Sequence, residues 1–199
     1  FLESLGERDW RSGIAEAIKV SLIKDIQFFT WLEQNAEALN LRDKEAMKEQ
    51  IYRCADLHMQ HIASGDPFEL GSARPLDFGH WAAHKLEYLS DFKIRHGEAV
   101  AIGIALDSIY SHLIGYLTKE EVERIIQLLT KLGFAIFHPA LAENDKINLT
   151  NGLNEFREHL GGQLTITLLE KLGKGVEVHT MDLATIKKSV DYLEQIASI

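Results

Sequence analysis

The chain has 199 residues, of which 46% are hydrophobic and 26% charged, the composition of an ordinary globular protein long enough to bury one sizeable core. Its formal charge of −9 repels nucleic acid and anionic membrane surfaces, so neither is expected as a partner. No apolar run approaches the roughly 20 residues that span a bilayer, and the lone cysteine, Cys54, has no intrachain mate, which fits a reducing, cytoplasmic setting.

The opening FLESLGERDWRSG has neither an initiator Met nor the order of a signal peptide, and reads as a cut inside a longer protein. From Trp10 to Asn40 apolar residues recur at helical spacing (Ile14, Ala17, Ile18, Leu22, then Ile26, Phe29, Leu32), with a break between two helices near Asp25. Glu16 and Lys19, three apart on the first helix, have the spacing of a surface ion pair, but their flanks of Ile14, Ala15, Ala17, Ile18 and Val20 predict partial burial. A buried carboxylate then needs a cation to stay ionised. Asp43 to Ser64 predicts a third helix carrying His58 and His61, read as solvated, and 65–76 a loop with Pro67, Gly71, Arg74 and Pro75.

The stretch RPLDFGHWAAHKLEYLSDFKIRHGE, Arg74 to Glu98, concentrates the chemistry. His80 and His84 stand four apart among helix formers, so both imidazoles project from one face, and Glu87 lies near that face. A loop then brings the chain to His96 at the start of an apolar helix, Glu98 to Tyr116, hydrophobic on nearly every side and therefore expected to be buried. His112 within it reads as a satisfied interior histidine. Thr118 and Glu121 form a capping-box pattern for a helix that stops at Gly133, and another helix is expected over Asp145 to Leu160, with Arg157 near its end. Leu164 to Leu169 and Val176 to Thr180, separated by glycines, predict a small β-hairpin, and Asp182 to Ile196 an amphipathic closing helix. There is no internal repeat, so the fold class is mainly α: one multi-helix domain over 1–199 with a β-hairpin near its C-terminus.

On residue chemistry alone, Glu16, His80 and His96 suit a mononuclear divalent site with positions left open for water or substrate. Histidine pairs at helical spacing are common, and a family resemblance adds the specificity that spacing lacks. AEAIKVSLIKDIQFFTWLEQN, DFGHWAAHKLE and HGEAVAIGIALDSIYS resemble, in order and spacing, the signature stretches of the C-terminal domain of the dehydroquinate synthase family, the NAD-dependent sugar-phosphate cyclases, and GGQLTITLLEKLGKGVEV is similar to its closing hairpin. The likeness implies a metal held by Glu16, His80 and His96, zinc or cobalt or another divalent ion. It makes Lys19 a substrate-contacting and catalytic lysine, and His84 a histidine that handles a proton beside the substrate. It also implies a phosphorylated sugar substrate, a homodimer, and an N-terminal NAD-binding domain that this chain lacks, so that the chain alone has no turnover.

Several positions depart from the family pattern. Asp77 stands where an asparagine is expected, Met59 with His58 beside it where a lysine is expected, Arg74 is displaced by one from the family arginine, and Phe156, Arg157 and Glu158 replace an Asp-Lys-Lys. Arg74, Asp77 and Arg157 are accordingly candidate substrate contacts; the charge of Asp77 beside the metal disfavours a carboxylate substrate, and the loss of cations implies a divergent member. Two other readings compete: a metal-dependent polyol or alcohol dehydrogenase domain, and a non-catalytic helical interaction domain descended from such an enzyme.

Overall fold

The structure is a computed structural model that describes residues 2–63, 77–159 and 163–198. The loop expected over 65–76, with Arg74, lies outside the described residues. Among those described, the order is α1 (Glu7–Lys24), α2 (Ile26–Asn40), α3 (Lys44–Ala63), α4 (His80–Leu89), α5 (His96–Leu113), α6 (Lys119–Lys131), α7 (Ile147–His159), β1 (Ile166–Lys171), β2 (Lys174–Val178) and α8 (Leu183–Ala197). No helix among them is long and apolar enough to cross a membrane.

Each boundary has a local cause. The break between α1 and α2 is Asp25, whose carboxylate accepts the N–H groups of Gln27 and Phe28 at 2.8 and 3.1 Å. Thr118 and Glu121 exchange the reciprocal capping bonds that open α6, and Gly133, at φ +77°, follows its last turn. Asp182 caps α8 by accepting from Thr185 N–H at 2.7 Å. The apolar helix begins at His96, earlier than its hydrophobic pattern alone suggests, because Glu98 reaches back to accept the N–H of Arg95 at 3.0 Å and so starts the helix in polar sequence.

α5 is the axis of the fold, with α1, α4, α6, α8 and β1 packed around it. Fourteen of its residues are buried, from Gly97 and Ala99 to Ser111, which is why its sequence shows no polar face. The hairpin pairs antiparallel with Ile166 opposite Val178 and Leu168 opposite Val176. Ile166 to Leu169 are all buried, so β1 is covered on both faces where the alternating sequence suggested one. The turn is pinned to the end of α1 by the N–H of Gly173, which donates to the carbonyl of Leu22 at 2.8 Å.

Candidate metal centre

α1, α4 and the first turn of α5 meet at one point of the surface, and glycines set how closely. Gly97 has no room for a side chain because a β-carbon there would stand 2.4 Å from Cα of Ser12 on α1, one turn before Glu16. Gly103 of α5 meets Gly79, just before His80, so tightly that its β-carbon would lie 2.0 Å from the Gly79 carbonyl oxygen. Around these contacts Arg8 binds both carboxylate oxygens of Glu98, at 2.7 and 2.5 Å, and Arg95 pairs with Asp9, holding the start of α5 against α1.

A buried acid fixes the entry to α4. Asp107, fully enclosed in α5, accepts the N–H of Gly79 at 3.0 Å on one oxygen and the indole N–H of Trp81 at 2.9 Å on the other. Burial pushes its carboxyl up to about 7, while the two donors pull it down. Asp107 therefore grips the residues on either side of His80 and sets where that imidazole emerges.

Glu16, His80 and His96 converge. Nε2 of His96 lies 3.6 Å and Nε2 of His80 3.9 Å from Oε1 of Glu16, and one ligand atom from each of the three residues fits within 4.8 Å of the others. His80 Nδ1 lies 3.1 Å from the carbonyl of Phe78, a bond that places the proton there and leaves Nε2 as a bare acceptor. Burial and the Lys19 charge push His80 down to about 4, so its ring is neutral at pH 7 and its approach to Glu16 is no ion pair. His96 Nδ1 stands 3.2 Å from Oε2 of Glu87, the carboxylate–imidazole arrangement that orients a ligating histidine. Lys19, buried on α1, pairs with the other Glu16 oxygen at 2.5 Å and lies 3.5 Å from His80 Nε2.

The donor set passes a test for a cation. Oε1 of Glu16 is buried and has no hydrogen-bond partner, although it sits between two imidazole nitrogens. Lys19 neutralises the carboxylate through its other oxygen, but an enclosed oxygen left without a hydrogen bond is still costly, and a divalent ion between it and the two nitrogens removes that cost. Two imidazoles and a carboxylate are a zinc-type set, equally suited to cobalt.

The other candidates fall at different distances. His84 is exposed on α4, with its ring centroid 5.7 Å from that of His80 and 5.8 Å from that of His96. It also borders a cleft of about 210 Å³ with Trp81, Lys85, Gly152, Glu155 and Phe156. Asp77 is half-buried in the turn entering α4, three residues before His80. Arg157 lines a separate groove with His179 and Thr180, because it is turned away from its neighbours Glu155 and Phe156 on α7. Arg74 lies outside the described residues. Sequence reasoning placed Glu87 near the histidine face without giving it a role, and gave none to Asp107. The signals were a carboxylate seven positions after His80 and a lone acid inside an otherwise apolar helix.

Fold and site together define the class, a helical domain that gathers one carboxylate and two imidazoles at metal-ligand spacing on a central buried helix. The chain belongs to the family described as 3-dehydroquinate synthase C-terminal, whose sequence pattern matches residues 13–153. It is 32% identical over 191 residues to the 3-dehydroquinate synthase of Acinetobacter baumannii (strain AYE), covering 95% of this chain and 52% of that protein. The corresponding enzyme of Nitrosococcus oceani is 33% identical over 191 residues, covering 96% and 52%. The chain thus spans about half the length of the curated relatives it matches. Among solved structures, the 2-epi-5-epi-valiolone synthase from Streptomyces hygroscopicus subsp. jinggangensis 5008, with NAD+ and Zn2+ bound, superposes with a TM-score of 0.88 at 27% identity, over 98% of this chain and 54% of that one. A 2-deoxy-scyllo-inosose synthase complexed with carbaglucose-6-phosphate, NAD+ and Co2+ shares the fold, with a TM-score of 0.69 at 21% identity over 94% and 53%.

Proposed function

We propose that this chain is the metal- and substrate-holding half of an NAD-dependent sugar-phosphate cyclase, and that a separate N-terminal half supplies the NAD site. The observation that carries the reading is the unpartnered Oε1 of Glu16 between the Nε2 atoms of His80 and His96. Those three residues would hold a divalent ion, Zn2+ or Co2+ as in the two neighbouring cyclases. When bound, such an ion acidifies and orients the hydroxyls of a sugar.

The chain's own residues divide the remaining work. Glu16 uses one oxygen toward the metal and the other toward Lys19, so the ammonium is held at the edge of the site, where it can meet substrate oxygen. His84, exposed next to both ligand histidines, is placed to take and return a proton. Glu87 and the Phe78 carbonyl fix the tautomers of His96 and His80. Asp77, Arg74 and Arg157 are the proposed substrate contacts, Arg157 from its separate groove, and the negative Asp77 turns the site away from a carboxylate-bearing substrate. The reaction class is transient oxidation by NAD, β-elimination of phosphate, re-reduction and intramolecular aldol closure, carried out in the cytoplasm by a homodimer of the complete enzyme. The isolated chain, lacking the hydride acceptor, is inactive.

The test is to join the chain to the NAD-binding half of the Acinetobacter baumannii relative and supply phosphorylated keto-sugars with NAD. Release of inorganic phosphate without net NADH supports the cyclase. NADH accumulation without phosphate release would place the chain with the polyol dehydrogenases. Turnover by the chain without the other half would overturn the division of labour.

A further inference from the structure

We infer that His84 is an exchangeable fourth ligand of the metal, so that in the resting chain the ion is enclosed by Glu16, His80, His84 and His96. The inference rests on the metal reading above and extends it to a residue outside the convergent trio. Three imidazoles bound through nitrogen at about 2.1 Å in a tetrahedral set have ring centres roughly 5 Å apart. The centroids here form a nearly regular triangle with sides of 5.3, 5.7 and 5.8 Å. The ligand atoms already within 4.8 Å of one another are those of Glu16, His80 and His96, so His84 joins them by turning its ring toward the buried, unpartnered oxygen of Glu16.

The two sides involving His84 exceed the third by only about half an ångström. His84 can close that gap, because it is exposed and, among the described residues, its ring nitrogens make no hydrogen bond. His80 is buried and tethered through Nδ1, and His96 is oriented by Glu87, so neither has the same freedom. The spacing of His80 and His84, one helical turn apart on one face, is the arrangement by which a helix presents two imidazoles to a single ion. Difference in tethering predicts difference in role: two fixed imidazoles and a carboxylate keep the metal, while the free one occupies a position that an oxygen ligand can take over. A site closed in this way at rest also protects the ion from adventitious ligands until the correct one displaces the imidazole.

Two measurements on the full chain test this. The chain loaded with one equivalent of Co2+ should show the intense visible band of four-coordinate cobalt. His84→Ala should weaken the band and lower Co2+ affinity by at least the roughly 10–100-fold that even loss of an outer partner costs. In wild-type chain with Zn2+, ring ¹⁵N spectra should show metal-bound shifts for three histidines, and this needs no variant. Identical Co2+ affinity and band in His84→Ala, or metal-bound shifts for His80 and His96 only, overturns the inference and leaves the three-residue site standing. Absence of Co2+ binding in the wild type, or its retention in His80→Ala, overturns the metal reading itself and the inference with it.

Discussion

Gly103→Ala adds one methyl group where, among the described glycines, a β-carbon has the least room. Its carbon would lie 2.0 Å from the Gly79 carbonyl oxygen, where ordinary contact begins at 3.4 Å, so the start of α4 must withdraw by roughly 1.4 Å. Overpacking of this kind costs about 1–3 kcal/mol, and the upper part of that range applies because the obstacle is backbone. Alanine in mid-helix returns about 1 kcal/mol over glycine, leaving about 1–2 kcal/mol of net destabilisation. At about 2–4 °C per kcal/mol for a chain of this size, Tm should fall by roughly 2–8 °C. The same withdrawal carries His80, adjacent to Gly79, away from a carboxylate oxygen that is already 3.9 Å distant, so Zn2+ affinity should drop by an order of magnitude or more. Thermal unfolding followed by circular dichroism and a Zn2+ titration against a chromophoric chelator read both effects. A Tm at or above that of the wild type together with unchanged Zn2+ affinity would refute the claim that this contact sets the position of His80.

Glu87→Gln removes the charge that orients His96 and should lower Zn2+ affinity about 10–100-fold without changing the far-ultraviolet spectrum; equal affinity would strip Glu87 of its role. Acid stability carries two opposed signatures. Asp107 is pushed above its ordinary value to about 7, so the native state holds the extra proton and stability from this group is lost as pH rises from about 4 to about 7. His80 is pushed below its ordinary value to about 4, so its contribution is complete above about 6.5 and lost as pH falls toward 4. Asp107→Asn removes the first slope, and its urea midpoint should fall more steeply on acidification from pH 7 to pH 4 than that of the wild type. Parallel curves for the two proteins would contradict the placement of a buried ionisable acid beneath α4.

Much of this was legible in the residues, for physical reasons that also mark where legibility ended. Asp25, Thr118 with Glu121, and Asp182 announced helix starts because caps act through hydrogen bonds to the next turn. The evenly apolar run after His96 announced a buried helix, and α5 proved to be the axis of the fold. The hairpin was expected two residues early on its first strand and two residues late on its second, since an apolar pattern marks a strand better than it marks the strand's ends. Spacing could place His80 and His84 on one face, but the meeting of Glu16 with His96 is a tertiary fact. It depends on Gly97 seating α5 against Ser12 and on Arg8 gripping Glu98, contacts about 85 to 90 residues apart in sequence. The family likeness supplied that meeting in advance, whereas spacing did not. The bond from Glu87 to His96 and the grip of Asp107 on Gly79 and Trp81 were beyond sequence periodicity for the same reason.

The central claim is that Glu16, His80 and His96 share one divalent ion. Metal analysis of the purified chain after exposure to Zn2+ and desalting tests it directly, beside the variants Glu16→Ala, His80→Ala and His96→Ala with folding monitored by circular dichroism. One equivalent of zinc in the wild type and a small fraction of that in each folded variant is the predicted result. A zinc-free wild type, or folded variants that keep a full equivalent, would contradict it.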